Sequence, residues 1–177
     1  NYIRSFLDLN VHNNTSEILL NGKIISKIKD FTLKKQYLFN YLENVDTWAT
    51  TDVLKFNAST KTQEEYFSLI SELINSKKIF YRRTAIIILF AYKKNDNYKD
   101  KIYNLISSLK NESEYYVNMA VAWFLQEWFL YKKDLVVDLL KNGKVNDFVL
   151  RKTVSKCQDS FRISKEDKQV LKTILKK

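Results

Sequence analysis

A short segment recurs along this chain, and its spacing constrains the fold more than any other feature. Trp48–Leu54, Phe80–Ile86 and Tyr116–Ala122 align on one another, and Val149–Ser155 aligns more loosely. The steps between the first residues of these segments are 32, 36 and 33 residues. A step of that length is one helix-turn-helix unit, and units of this kind stack into helical solenoids. The spacing therefore predicts an all-α repeat protein.

Between these segments, apolar residues recur three and four positions apart, as they do in helices that bury one face. Helices are predicted over 16–29, 32–42, 79–92, 99–109, 113–131 and 134–140, with further helices beginning after Asp46 or Thr47, Thr62, Asn146 or Asp147, and Ser164. Thr62 with Glu65 is a capping-box pattern, Ser164 with Asp167 is a second cap, and Gly143 is a helix stop signal.

Paired, these helices form about five two-helix repeats, and we expect residues 1–177 to be a single domain. The predicted architecture is a right-handed superhelical solenoid with a concave basic groove. HEAT-like, armadillo-like and tetratricopeptide repeats all fit this description. The tetratricopeptide type fits less well because its usual glycine and proline positions are empty.

The composition excludes several classes of enzyme. The chain has no proline, two glycines (Gly22 and Gly143), one cysteine (Cys157) and one histidine (His12). Two isolated glycines cannot form a phosphate-binding loop or a dinucleotide fingerprint. A metal site of the usual histidine and cysteine kind is excluded, and so is a catalytic triad unless His12 is its base. We therefore expect no metal and no cofactor.

The formal net charge of +10 favours a polyanionic partner, and nucleic acid is the first candidate. An AT-rich genome that favours lysine codons is the alternative explanation of the charge. No stretch approaches the roughly 20 apolar residues of a membrane span. A single cysteine fits a reducing compartment. We expect a monomer in the bacterial cytosol or nucleoid, without a membrane partner.

Four residues in the repeated segments have chemistry that a helical core does not require. Trp48 and Asp52 are four residues apart on a helix, so they share a face. Arg83 occupies the register position just before that of Asp52, one repeat later, and precedes an almost wholly apolar stretch. It must therefore reach water or a carboxylate, for which Asp52 is the candidate. Trp123 lies four residues beyond Met119. It therefore projects from the same side of its helix as the position equivalent to Arg83. The register predicts that the four residues meet on one surface.

Simpler explanations exist for each of these residues. Trp48 and Trp123 could be core tryptophans, Asp52 an exposed carboxylate, and its pairing with Arg83 an ordinary ion pair between repeats. If they do meet, two tryptophan faces would attract a positively charged base. A carboxylate beside that base could stabilise a deoxyribose cation, or position water, while the N-glycosidic bond is cleaved.

At these residues the sequence resembles the AlkD-like DNA alkylation repair family, which consists of HEAT-like repeat DNA glycosylases. The similarity extends over roughly residues 16 to 175, and the matching runs are Val45–Asp52, Phe80–Arg83, Tyr115–Trp123 and Asp159–Lys168. The resemblance implies that Trp48, Asp52, Arg83 and Trp123 are catalytic-cleft residues. It also implies excision of N3- or N7-alkylated purines from duplex DNA that is gripped by its backbone, with no need to flip the lesion into a pocket. Since only 47 residues precede Trp48, N-terminal helices of the family are expected to be missing or reduced.

Several basic residues fall on or just after the repeated helices, where they are expected to bind DNA phosphates. They are Arg82, Lys93, Lys94, Arg151, Lys152, Lys156, Arg162 and Lys165. The sequence thus favours a glycosylase for cationic alkylated purines. The alternatives are a non-catalytic protein that binds bent or branched DNA, and a helical scaffold that binds other proteins.

Overall fold

The computed structural model describes residue 5, residues 7–8 and residues 14–175, and His12 lies outside these residues. The described part of the chain is helical and contains no β-strand, which confirms the predicted all-α class. Its α-helices are α1 (Thr15–Lys27), α2 (Phe31–Leu42), α3 (Trp48–Asp52), α4 (Gln63–Ile74), α5 (Ile79–Leu89), α6 (Lys99–Ser108), α7 (Tyr115–Phe129), α8 (Lys133–Lys141), α9 (Asp147–Asp159) and α10 (Lys165–Ile174). Short 3₁₀ turns follow or precede some of them, at Phe90–Tyr92, Asp96–Tyr98 and Leu109–Asn111.

The four aligned segments fall on α3, α5, α7 and α9, which alternate along the chain with α4, α6 and α8. This alternation is the one that a two-helix repeat requires. The number of repeats and the superhelix stay predictions, and so does the single domain. The chain forms two compact units, Asn1–Ile88 and Leu89–Lys177.

Several helix boundaries follow the predicted capping residues. Asn146 Oδ1 accepts a hydrogen bond from the Val149 amide at 2.9 Å, and Ser164 Oγ accepts one from the Asp167 amide at 3.1 Å. Each side chain satisfies an amide that has no partner within the first turn of its helix. The predicted caps of α9 and α10 are therefore confirmed.

Gly143 ends α8 as its position in the sequence predicted. Its φ is +62°, a left-handed conformation that glycine adopts without strain. The reversal lets the Lys144 amide donate to the Leu139 carbonyl at 3.0 Å, the bond that closes a Schellman motif.

The predicted capping box at Thr62 and Glu65 is wrong. Thr62 precedes α4, but its side chain makes no capping hydrogen bond. Its φ of −122° and ψ of 1° are not the extended values that direct a capping hydroxyl at the first turn. The Thr62 hydroxyl instead lies 3.1 Å from the Ser59 hydroxyl in the preceding loop.

In the first unit, α1 packs against α2 and α3. Gly22 on α1 makes the close approach possible, because a Cβ atom there would lie 2.7 Å from both Tyr41 Oη and Val53 Cγ1. The buried Tyr41 hydroxyl donates to the Thr50 carbonyl at 2.7 Å. Since Thr50 lies in the five-residue α3, this bond fixes a helix too short to be stable alone.

Lys34 is an unusual member of this core, since its side chain is a buried amine. It is only 4% exposed and donates to the Ser26 carbonyl at 3.1 Å and the Lys55 carbonyl at 3.4 Å. Ser26 lies in the last turn of α1, where helix carbonyls favour a cation. Burial lowers the Lys34 pKa, because a charged amine is poorly solvated there.

The second unit is built around α7, which is buried on most of its surface and packs against α8 and α9. Trp128 is fully buried and stacks on Phe124 with ring centroids 5.6 Å apart, as expected of a packing residue. Cys157 on α9 is buried as well, and burial raises the pKa of its thiol to about 12. None of the helices in the described ranges is both long and apolar enough to cross a membrane.

Candidate active site

The predicted partnership of Asp52 and Arg83 is confirmed by the geometry of the first unit. Arg83 Nη2 lies 2.7 Å and Nε 3.2 Å from Asp52 Oδ1. The Arg83 side chain is 5% exposed and that of Asp52 is 21% exposed, so water reaches the carboxylate and hardly reaches the guanidinium. Among the described residues, nothing donates a hydrogen bond to Asp52 Oδ2. The carboxylate is thus held by one oxygen and open at the other.

Thr51 is a third member of this cluster, and the sequence analysis missed it. Its buried hydroxyl accepts a hydrogen bond from Arg83 Nε at 2.9 Å and donates to the Trp48 carbonyl at 2.9 Å. The hydroxyl thereby links the guanidinium to the backbone of α3. The equivalent position one repeat later is Arg83 itself, so the repeat offered no signal for the role of Thr51.

Trp48 begins α3 and is 55% exposed, so it is not the core tryptophan that the simpler explanation required. Its indole is presented to solvent on the helix that carries Asp52. A large exposed aromatic ring beside a carboxylate can contact a flat cationic ring by its face. The first unit thus places Trp48 and Asp52 on one short helix, and Arg83 is bonded to Asp52.

Trp123 belongs to the second unit, and its meeting with the other three residues stays a prediction. Its partly exposed ring packs on Phe90 with centroids 4.5 Å apart. It also lines an open pocket of about 430 Å³, here named the Phe161 pocket. The other lining residues that matter for recognition are Gln126, Lys156, Asp159, Phe161 and Arg162.

Two of the predicted phosphate-binding residues share one carboxylate. Lys93 Nζ lies 3.0 Å from Glu127 Oε2, and the Arg162 guanidinium donates to both Glu127 oxygens. Burial raises the Glu127 pKa, but hydrogen bonds from Arg162 and Lys93 outweigh it, so the pKa lies below its ordinary value. The sequence analysis did not single out Glu127. An acid inside an apolar helix indicates a cationic partner, just as Arg83 before an apolar stretch indicated a carboxylate.

The remaining predicted phosphate contacts fall into three groups: residues bonded to other protein groups, residues near aromatic rings, and residues without a partner in the described part of the chain. Arg82 donates to the backbone carbonyls of Ser76 and Lys77, and Arg151 pairs with Asp147 four residues earlier. Two of these side chains lie near aromatic rings. Lys94 Nζ is 5.1 Å from the centroid of the Tyr131 ring, and Lys152 Nζ is 6.0 Å from the centroid of the Phe148 ring. Lys156 and Lys165 form no ion pair or hydrogen bond with the described part of the chain. Whether any of these residues grips phosphate stays a prediction.

Within the described residues, no cluster of histidine, cysteine, aspartate and glutamate could hold a metal ion. A family model described as a DNA alkylation repair enzyme matches residues 6–156, most of the chain. The chain belongs to the DNA alkylation repair enzyme family. Neither the curated proteins nor the solved structures contain a match to it.

Family membership indicates a role in DNA alkylation repair, with DNA as the substrate. The matched range contains Trp48, Asp52, Arg83 and Trp123. The match stops at Lys156, so the run Asp159–Lys168 of this DNA alkylation repair protein lies beyond it. Asp159, Phe161 and Arg162 of the Phe161 pocket belong to that run.

Proposed function

We propose that this protein is a monofunctional DNA glycosylase that hydrolyses the N-glycosidic bond of cationic, N3- or N7-alkylated purines in duplex DNA. The observation that carries the proposal is the half-anchored carboxylate of Asp52, which is held at Oδ1 by Arg83 and open at Oδ2. Exposed Trp48 lies on the same short helix. A fixed anion beside an open aromatic face suits a reaction in which a cationic base departs and a cationic sugar forms.

The proposed reaction breaks the C1′–N bond, and the bonding electron pair leaves with the base. An alkylated purine is positively charged, so it departs as a neutral molecule and the positive charge moves to the sugar. Water then adds to C1′ and releases one proton, which leaves an abasic site. Asp52 Oδ2 would stabilise the sugar cation, or orient the water and accept its proton.

Arg83 acts in this proposal as a positioning residue. Because its side chain is buried, it is a poor phosphate contact, and its hydrogen bonds are already directed at Asp52 and Thr51. It fixes the direction of the carboxylate before substrate binds. Preorganised charge of this kind spares the reaction the cost of reorienting a solvated group.

The tryptophans would recognise the lesion through their ring faces. A cation over an indole is attracted by roughly 0.5–2 kcal/mol, depending on how much water is excluded. Trp48 in the first unit and Trp123 in the second are each proposed to contact the damaged nucleotide. Each role has its own test, since Trp48→Ala and Trp123→Ala should each weaken binding to DNA that carries an alkylated base more than binding to undamaged DNA.

The deciding experiment measures release of 7-methylguanine and 3-methyladenine from methylated duplex DNA in single turnovers. Asp52→Asn keeps the shape of the side chain but removes its charge, so we expect release to be slower by about 10² to 10³-fold. The matched control is Asp147→Asn, which neutralises an exposed carboxylate that also pairs with an arginine. Release by this control should equal that of wild type.

Other outcomes would contradict the proposal in distinct ways. If Asp52→Asn released base as fast as wild type, the role of Asp52 would be wrong. Tight DNA binding by wild type without any base release would identify a non-catalytic DNA-binding protein. Weak binding to every DNA at low salt would favour the protein-binding scaffold.

A further inference from the structure

The Phe161 pocket combines features that no folding requirement explains. Phe161 lies between α9 and α10 and has a relative exposure of 104%, so its whole ring is in water. A single exposed apolar residue is ordinary on a protein surface. Here, however, the ring lines a pocket together with Trp123, which is only partly covered. Two aromatic side chains lining one open pocket are a platform on which a flat ring can stack.

Gln126 adds an independent observation at the same place. It lines the pocket and is only 7% exposed, yet its Nε2 has no hydrogen-bond partner in the described part of the protein. A buried amide donor without a partner is unfavourable in an isolated protein. A ligand that offers a hydrogen-bond acceptor would satisfy it, as the ring nitrogens and carbonyl oxygens of nucleobases do.

The charges of the lining residues point to a ligand with one negative charge. Lys156 has no partner among the described residues, so its amine is available, while Arg162 is fixed by its bonds to Glu127. Asp159 is the only carboxylate of the described lining. Because Arg162 is already paired, one available amine suits a single phosphodiester group better than a free polyphosphate.

From these observations we infer that the Phe161 pocket binds one unpaired nucleotide of the DNA substrate. The base stacks against Phe161 and Trp123, the Gln126 amide donates to its edge, and the adjoining phosphate lies near Lys156. A volume of about 430 Å³ lies within the range of pockets that hold one small ligand. The inference rests on DNA as the substrate and does not need glycosylase chemistry.

The test compares binding to two DNA molecules of equal length at one salt concentration. One is a fully paired duplex, and the other carries a single unpaired 2-aminopurine nucleotide. We expect wild type to bind the second about 10-fold more tightly, and to quench its fluorescence because the base stacks on aromatic rings. Phe161→Ala should abolish both the preference and the quenching while binding to the paired duplex is unchanged.

Tyr115→Ala is the matched control, because Tyr115 is an aromatic of the same unit that is 55% exposed and does not line the pocket. It should bind both DNA molecules as wild type does. Gln126→Leu is the second variant, and it should reduce the preference without reducing binding to the paired duplex.

The outcomes separate this inference from the proposed glycosylase. If wild type releases no alkylated base but shows the Phe161-dependent preference, the glycosylase proposal fails and the nucleotide pocket stands. If base release proceeds but wild type binds the two DNA molecules equally, the pocket inference is overturned. It is also overturned if Phe161→Ala keeps the preference, or if Tyr115→Ala loses it to the same extent.

Discussion

Both hydrogen bonds from Arg83 to Asp52 end on the same carboxylate oxygen. Nη2 lies 2.7 Å and Nε 3.2 Å from Oδ1, and Nε also lies 2.9 Å from the Thr51 hydroxyl. A side-on arginine pair would use both carboxylate oxygens. The observed pair therefore fixes the direction of the carboxylate and leaves Oδ2 as an acceptor for another group.

Arg83→Lys tests the importance of this arrangement. A lysine keeps the positive charge but lacks the rigid, planar donors with which the guanidinium bonds Asp52 and Thr51, so the carboxylate would lose its fixed direction. We expect base release in single turnovers to fall about 10- to 100-fold, because misplaced catalytic groups lose that much. The free energy of unfolding in urea should fall by about 2 kcal/mol.

Arg151→Lys is the control for this change, because Arg151 pairs with Asp147 on an exposed helix face. Exposed pairs contribute about 0.3–0.5 kcal/mol, so neither its unfolding nor its base release should change measurably. Full base release by Arg83→Lys would show that Asp52 does not depend on Arg83 for its orientation.

Gly22→Ala should disturb the site from a distance. The new Cβ would lie 2.7 Å from both Tyr41 Oη and Val53 Cγ1, and Tyr41 is the residue that holds α3 through the Thr50 carbonyl. We expect the free energy of unfolding to fall by about 1–3 kcal/mol, as for other overpacked cores, and base release to fall as well.

The control is Gly143→Ala in the second unit, where a Cβ would meet nothing within 4 Å but φ is +62°. Its left-handed backbone should reduce stability by about 1 kcal/mol and leave base release unchanged. If Gly22→Ala were as stable and as active as wild type, Tyr41 and Val53 would have to move without affecting α3.

The partnership of Asp52 and Arg83 could be predicted because a repeat converts sequence spacing into spatial proximity. Residues one repeat apart lie at matching places on neighbouring helices, and a guanidinium among apolar residues needs a carboxylate. Thr51 and Tyr41 could not be found in the same way. Their roles depend on hydroxyl directions and on the close approach that Gly22 permits, and neither is encoded in spacing.

Glu127 should make the protein sensitive to acid. Its folded-state pKa lies below the ordinary value of 4.5, despite burial, because Arg162 and Lys93 bond its charged form. A carboxylate with a depressed folded pKa contributes stability above the unfolded pKa and loses it as pH falls through the folded pKa. The contribution should therefore begin to disappear below about pH 4.5.

Urea unfolding of wild type and Glu127→Gln from pH 7 to pH 3 measures this contribution. The variant should be less stable at pH 7, and the difference should shrink as pH falls below about 4.5. Glu166→Gln, which changes an exposed glutamate on α10, serves as the control. A difference between wild type and Glu127→Gln that stays constant over the whole range would mean that Glu127 titrates normally.

DNA affinity should depend steeply on salt if the basic residues bind phosphates. With about six phosphate contacts, the slope of log affinity against log salt concentration is expected near −5. Lys156→Ala should reduce the magnitude of the slope by about 1, since the amine has no competing partner in the described structure. Arg151→Ala should reduce it less, because Asp147 already neutralises that side chain. Equal slopes for wild type and Lys156→Ala would exclude a phosphate contact by Lys156.

The phosphate contacts also show where a sequence stops being informative. Position on a repeated helix marked Lys93 and Arg162 as candidates, but it could not show that both share Glu127. The exposure of Phe161 depends on the path of the chain between α9 and α10, where no periodicity constrains the side chains. Gln126 is one polar residue within an apolar helix, and only its buried Nε2, which has no partner among the described residues, distinguishes it.

The five-residue length of α3 has a consequence for amide hydrogen exchange. A helix of this length closes too few internal hydrogen bonds to persist alone, so its lifetime is set by the contacts of Tyr41 and Arg83. Its amides should exchange through local opening, long before those of the buried α7. Local opening of α3 would move Asp52 away while the rest of the first unit stays folded. Under the proposed function, a substitution that favours this opening should slow base release far more than it lowers the melting temperature.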